Sequence, residues 1–301
     1  MKIALLLSYI CLSCACVREE KTVINEVPVP LEISMASNSR SEVLPDGTEV
    51  GVYIAEDSAE DSEYKYDGAE YKNVRAVIEG GKLKFDQDIM LSSTNANVYV
   101  YSPYKAFYNN MQIMRVTTAA SPDFLLGKVK GINNQNPNAN VELQHMYATV
   151  RFKIKKASPS PKPTNILNIV LRNNEGYTNL SSTGKVDIKA CTIVPTTPST
   201  HVITISFTPA YTIVDYFPDD ESSIEMSVMP TSVSSGEIVV VVSPSPYEKR
   251  SYQIPATNWD ASKLVLWSLF ATAPWYKCGT ALLKLSRSLS PTGYLFPDTG
   301  R

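Results

Sequence analysis

The chain has 301 residues, with 28 Lys and Arg against 30 Asp and Glu, a net charge of −2, and 44% hydrophobic residues. So even a balance offers no basic field for nucleic acid, and beyond the first sixteen residues only Cys191 and Cys278 remain, which gives no disulfide framework and no paired metal-type spacing. The length suits two ordinary domains or one large β-rich one.

The first element is an export signal. Lys2 supplies a short positive region, and Ile3 to Leu12 form an apolar stretch too short to span a bilayer. Hydrophobicity then stops at CLSCAC, directly before the polar VREEKT. This arrangement resembles a bacterial lipobox, with Cys16 as the lipidated residue, preceded by Ala15 and Ser13, and Cys14 as the alternative. A thioether-linked lipid with an acylated amino group supplies the multiple chains that stable anchoring needs. The other reading is a plain cleaved signal whose cysteines are ordinary apolar residues.

From residue 22 onward the periodicity is that of strands, with no convincing amphipathic helix. VPLEISMAS (29–37) alternates weakly, and a turn at Asp46 and Gly47 precedes a strand through Val50, Val52 and Ile54. YKNVRAVIEGGKLKFD predicts a hairpin around Gly80 and Gly81. NANVYVYSPY puts Val98 and Val100 on one face and Tyr99 and Tyr101 on the other. ELQHMYATVRFKIKK is the clearest strand: Ala148, Val150, Phe152 and Ile154 face a core, and Thr149, Arg151, Lys153 and Lys155 face water. After the stiff SPSPKP loop, NILNIVLRN, KVDIKACTIV, HVITISFT, SIEMSVMP and EIVVVVSP each predict one strand. The expected architecture is all-β, built of antiparallel sandwiches rather than a parallel sheet. The expected division is a signal over 1–15, one domain over 16–141 and a second over 142–301, with the boundary near Glu142 after the polar GINNQNPNAN.

The order of CLSCAC, SNSRSEV, EVGVYI, NVYVYSPY, PDFLLGKV, LQHMYATVRFKIKK, NILNIVLRN and EMSVMPT resembles the fimbrillin family, the subunits and accessory proteins of type V pili. The resemblance implies two tandem transthyretin-like β-sandwich domains, no catalysis and no cofactor. It implies a lipid-anchored precursor at the outer membrane and cell surface, whose partners are other fimbrial subunits and host or bacterial surface ligands. It also implies maturation: an arginine-specific protease removes the N-terminal segment with its first strand, and a neighbour's strand fills the opened groove. The matching bond is Arg40–Ser41 in SNSRSEV; the alternative is an ordinary surface arginine. The chain departs from the family in two places. Thr231 follows Met229 and Pro230 where Gln is frequent, and from Leu264 onward the sequence has one acid, Asp298, in 38 residues and no clear alternation. That ending is either divergent or the product of a reading-frame change.

Chemistry-bearing residues are sparse. His145 and His201 are far apart in sequence, and no nucleophile motif accompanies them, so both are expected to be structural. Cys191 and Cys278 either form one bridge or, as the better expectation, are buried free thiols. Glu56, Asp57, Glu60, Asp61, Glu63 and Asp67 lack the glycine-centred spacing of a calcium loop and read as a solvated stretch. Within it, Asp57, Ser58 and Ala59 resemble a short O-glycosylation signal. Seventeen tyrosines, including Tyr64, Tyr66, Tyr71, Tyr99, Tyr101, Tyr104 and Tyr108, raise a rival function, a glycan-binding surface lipoprotein that does not polymerise. The plainer expectation is strand packing with a wet hydroxyl.

Overall fold

The protein is seen in a computed structural model that describes residues 27–36, 44–57, 63–109, 114–118, 123–155, 164–196, 202–213, 223–247, 249–270 and 293–295. The described chain is all-β. In the first half the strands are β1 (Val29–Pro30), β2 (Glu32–Met35), β3 (Glu49–Glu56), β4 (Lys65–Tyr66), β5 (Ala69–Glu79), β6 (Lys82–Phe85), β7 (Met90–Leu91), β8 (Ala96–Ser102), β9 (Met114–Thr117), β10 (Leu125–Ile132) and β11 (Asn138–Val141). They continue with β12 (Gln144–His145), β13 (Ala148–Lys155), β14 (Thr164–Asn173), β15 (Thr183–Asp187), β16 (Thr192–Pro195), β17 (Val202–Ile213) and β18 (Ser223–Val228). Last come β19 (Thr231–Val233), β20 (Ile238–Ser243), β21 (Arg250–Gln253), β22 (Thr257–Trp259), β23 (Leu264–Phe270) and β24 (Gly293–Leu295). No described helix is long and apolar enough to cross a membrane.

A nine-stranded sheet runs β11-β2-β6-β5-β3-β8-β10-β12, with β4 paired to β5. Its turns follow local chemistry: Gly80 and Gly81, at φ 59° and 74°, make the β5–β6 hairpin, and Asp46 accepts the Gly80 N–H at 2.9 Å. The sheet curls until β10 meets the end of β11. There Gly127 is needed, because a Cβ on it would stand 2.3 Å from the Glu142 carbonyl oxygen. The concave face encloses one core, with Leu31, Ile33, Val52, Ile54, Val98 and Val100 buried together.

A second core lies between two four-stranded sheets, β18-β13-β23-β24 and β17-β14-β20-β21. All four inward residues expected on β13 are buried in it, packed with Ile169, Val240 and Trp259. Between the two cores a third cluster gathers Tyr53, Tyr99, Tyr101, Met114, Val186 and Met229. It covers the other face of β3 and β8, so all seven residues of β8 are buried and the strand is covered on both faces rather than half wet.

Several expectations need correction. KVDIKACTIV is not one strand: it breaks at a turn over residues 188–191, where Cys191 takes φ 53° and Asp187 accepts the Ala190 N–H at 2.9 Å, and splits into β15 and β16. The sheets are not wholly antiparallel, since β2 pairs β11, β23 pairs β13, and β24 pairs β23 in parallel. Parallel neighbours here come from strands distant in sequence, which alternation cannot reveal. The start of the unusual ending is itself a strand: β23 supplies Val265 and Leu269 to the second core.

Candidate functional site

The site that stands out is the seat of the first strand. Leu31, Ile33 and Met35 recur at every second position, so one face of β2 is apolar and turns inward. Leu31 and Ile33 are buried and Met35 packs against the same core. The strand is held between two neighbours formed much later in the chain. On one side it runs parallel to β11, with Glu32 level with Asn138 and Met35 level with Val141. On the other it meets β6 antiparallel at Ser34 and Lys82.

Its backbone is satisfied along its length. Leu31 N–H donates to the Ile89 carbonyl at 2.8 Å, Glu32 N–H to Pro137 at 3.0 Å, Met35 N–H to Gly81 at 2.9 Å and Ala36 N–H to Val141 at 2.8 Å. Val29 and Pro30 pair with Leu91 and Met90. The outward side chains are lightly tied: Lys82 donates to Glu32 at 2.8 Å, and Ser34 Oγ to Asn140 Oδ1 at 3.3 Å. The Lys82 ammonium hydrogen-bonded to Glu32 holds that carboxyl below the usual carboxylate range. Both groups are well exposed, so the pair adds little to stability. Two buried apolar side chains and a row of main-chain hydrogen bonds therefore hold this strand.

The predicted site residues stand as follows. Cys14, Cys16, Arg40 and Ser41 lie outside the described residues, as do Cys278, His201 and residues 58–62. The stretch carrying Arg40 joins Ala36, at the end of the seat, to Leu44, which packs on the first core. What sequence reading missed is the seat itself, made by Lys82, Ile89, Leu91 and the β11 residues Asn138–Val141. The only advance signal was the GGKLKF hairpin, which identified β6 but not its partner.

Elsewhere the polar residues are absorbed by structure. His145 Nδ1 lies 2.7 Å from Asp123, and the His145 carbonyl accepts from Ser262 Oγ at 2.7 Å. Cys191 is half-buried rather than buried; its thiol donates to the Ile188 carbonyl at 3.4 Å, and burial pushes it up. Glu56 accepts from the Asp67 N–H at 2.8 Å, Asp57 from Asn97 at 2.7 Å, and Glu63 pairs with Lys65 at 3.1 Å. Among the described residues no three acidic, His or Cys groups stand together as a metal site.

The tyrosines named above are mostly inside. Tyr64, Tyr66, Tyr99, Tyr101 and Tyr108 are buried, and Tyr71 and Tyr104 are partly so. Tyr101 stacks on Phe124 with centroids 5.7 Å apart and donates to Asn73 at 2.5 Å. Rings buried in this way are not available to stack on a sugar.

A family model described as fimbrillin-like matches residues 37–268, beginning just after β2. Among solved structures, one described as a candidate cell adhesion protein from Bacteroides uniformis ATCC 8492 is similar, with TM-score 0.59 and 14% identity, over 90% of this chain and 99% of its own. Another with the same description, from Bacteroides ovatus ATCC 8483, has TM-score 0.59 and 13% identity over 81% of this chain and 92% of its own. At such identities the likeness concerns the fold. No curated protein matches the chain.

Proposed function

Since the chain belongs to the fimbrillin-like family, a class of fimbrial proteins rather than of enzymes, we propose that it is a structural or adhesive subunit of type V surface fimbriae. It is exported as a lipoprotein through Cys16, with Cys14 as the alternative, and held at the outer membrane facing outward. Cleavage between Arg40 and Ser41 then frees the segment carrying β1 and β2, and a strand from another subunit takes their place. The two halves, divided near Glu142, are tandem transthyretin-like sandwiches.

One observation carries the assembly step. β2 is seated between β6 and β11 as an inserted strand, with Leu31 and Ile33 in the core, while the candidate cleavage bond follows within a few residues. Its departure would leave a groove with unpaired amides and carbonyls on both walls and two empty apolar positions, which favours capture of an alternating peptide. The rival reading, a monomeric glycan-binding lipoprotein, loses its main support because the tyrosines that would form the platform are largely buried.

Treating the full chain with an arginine-specific protease tests this reading. Cleavage after Arg40 should release the first strand and give oligomers, or uptake of an added strand peptide; a cleaved chain that stays monomeric and takes up no peptide rejects it.

A further inference from the structure

The segment between β8 and β10 leaves the first sheet, contributes β9 to a sheet of the second half, and returns. β9 pairs antiparallel with β15, Met114 level with Val186 and Thr117 level with Thr183, in the three-stranded order β16-β15-β9. Thr118 N–H donates to the Ser182 carbonyl at 2.9 Å, and the Tyr147 hydroxyl donates to the Thr117 carbonyl at 3.2 Å. Met114 and Val116 are buried in the cluster between the cores.

Both ends of the excursion are fastened to the first half. At its start, Asn73 Nδ2 donates to the Lys105 carbonyl at 2.9 Å and the Tyr53 hydroxyl to the Tyr108 carbonyl at 2.7 Å. At its end, Phe124 stacks on Tyr101 with ring centroids 5.7 Å apart, and Leu125 pairs with Ser102 of β8. A second contact crosses nearby, with the Lys189 ammonium 5.3 Å from the centre of the Tyr64 ring.

Domains joined by a small polar interface move relative to one another by default. Here the junction is instead an apolar cluster plus a strand lent by one half to the sheet of the other, and that strand cannot leave without exposing Met114 and Val116 and breaking a ladder. We infer that β9 is an interlock that makes the two cores unfold as a single cooperative body, so that the chain transmits strain between its halves rather than hinging. The inference does not depend on fimbrial assembly.

The test follows urea unfolding of the full chain with two local probes. Tryptophan fluorescence reports the second half, since all three tryptophans lie beyond residue 148 in the sequence and Trp259 is fully buried in the second core. Hydrogen exchange of the β3 and β8 amides reports the first. The unsubstituted chain should give coincident midpoints, and Val116→Asp should separate them by about 0.5 M urea or more. Val116→Ala and Thr118→Pro, which perturb the contact less, should give smaller separations and serve if Val116→Asp does not fold. Midpoints already separate in the unsubstituted chain, or midpoints that fall together in every variant, overturn the interlock.

Discussion

Ile33 on β2 and Ala139 on β11 stand level in neighbouring parallel strands, both fully enclosed in the first core although 106 positions separate them in the chain. A strand from the start of the chain is thus packed against one formed near the end of the first half, and no hairpin ties the two together. That relationship is what makes β2 removable in principle.

Ile33→Ala should destabilise the chain by about 2–5 kcal/mol, because the side chain is 1% exposed and leaves a cavity that its neighbours fill only partly. Val202→Ala, at an exposed position on β17, should change stability by less than about 0.5 kcal/mol. Urea unfolding of the two variants measures both.

Much of this was legible in the sequence wherever alternation was strict. β13 was readable because small and apolar residues alternate with charged ones, and the β5–β6 turn because two adjacent glycines supply positive φ. What alternation cannot state is the partner. It marked Tyr99 and Tyr101 as one face of β8 but not that β9 and β15 would cover that face. It marked VPLEISM as a strand but not its parallel seat. The run LVLWSLF lacks clear alternation, yet it pairs with β13 along its whole length. The lipid and cleavage positions rest on sequence pattern, since Cys14, Cys16, Arg40 and Ser41 are not among the described residues.

Gly51→Ala should destabilise by about 1–3 kcal/mol or more, since a Cβ there would stand 1.9 Å from Tyr101 Cε1 in the middle of a packed aromatic cluster. The accompanying loss should appear in near-ultraviolet circular dichroism, which reports ring packing. An unchanged spectrum and midpoint would mean that Tyr101 has room to move aside.

Alkali should unfold the protein in a definite window. Burial pushes Tyr99 up to about 12, and burial raises Tyr53, Tyr101 and Tyr147 further still. A folded-state value above the unfolded one means the stabilisation is complete below the ordinary tyrosine value of 10.0 and is lost as pH rises towards 12. Tyrosinate absorbance from these buried rings should therefore rise only together with loss of circular dichroism. A single early rise with structure intact would contradict the burial.

Cys16→Ala, with Cys14 unchanged, should abolish labelling by a fatty-acid probe in cells. Labelling that persists moves the lipid to Cys14, and labelling that survives loss of both removes the lipoprotein step.

The most direct test of the strand-release account is the N-terminal sequence and intact mass of the protein recovered from the surface of the cells that make it, alongside Arg40→Ala. The account predicts a chain beginning at Ser41, and for Arg40→Ala a chain retaining everything from the lipidated cysteine onward. A lipidated Cys16 or Cys14 as the sole terminus of the unsubstituted protein would contradict it, because β2 would then remain in its seat and no groove would open.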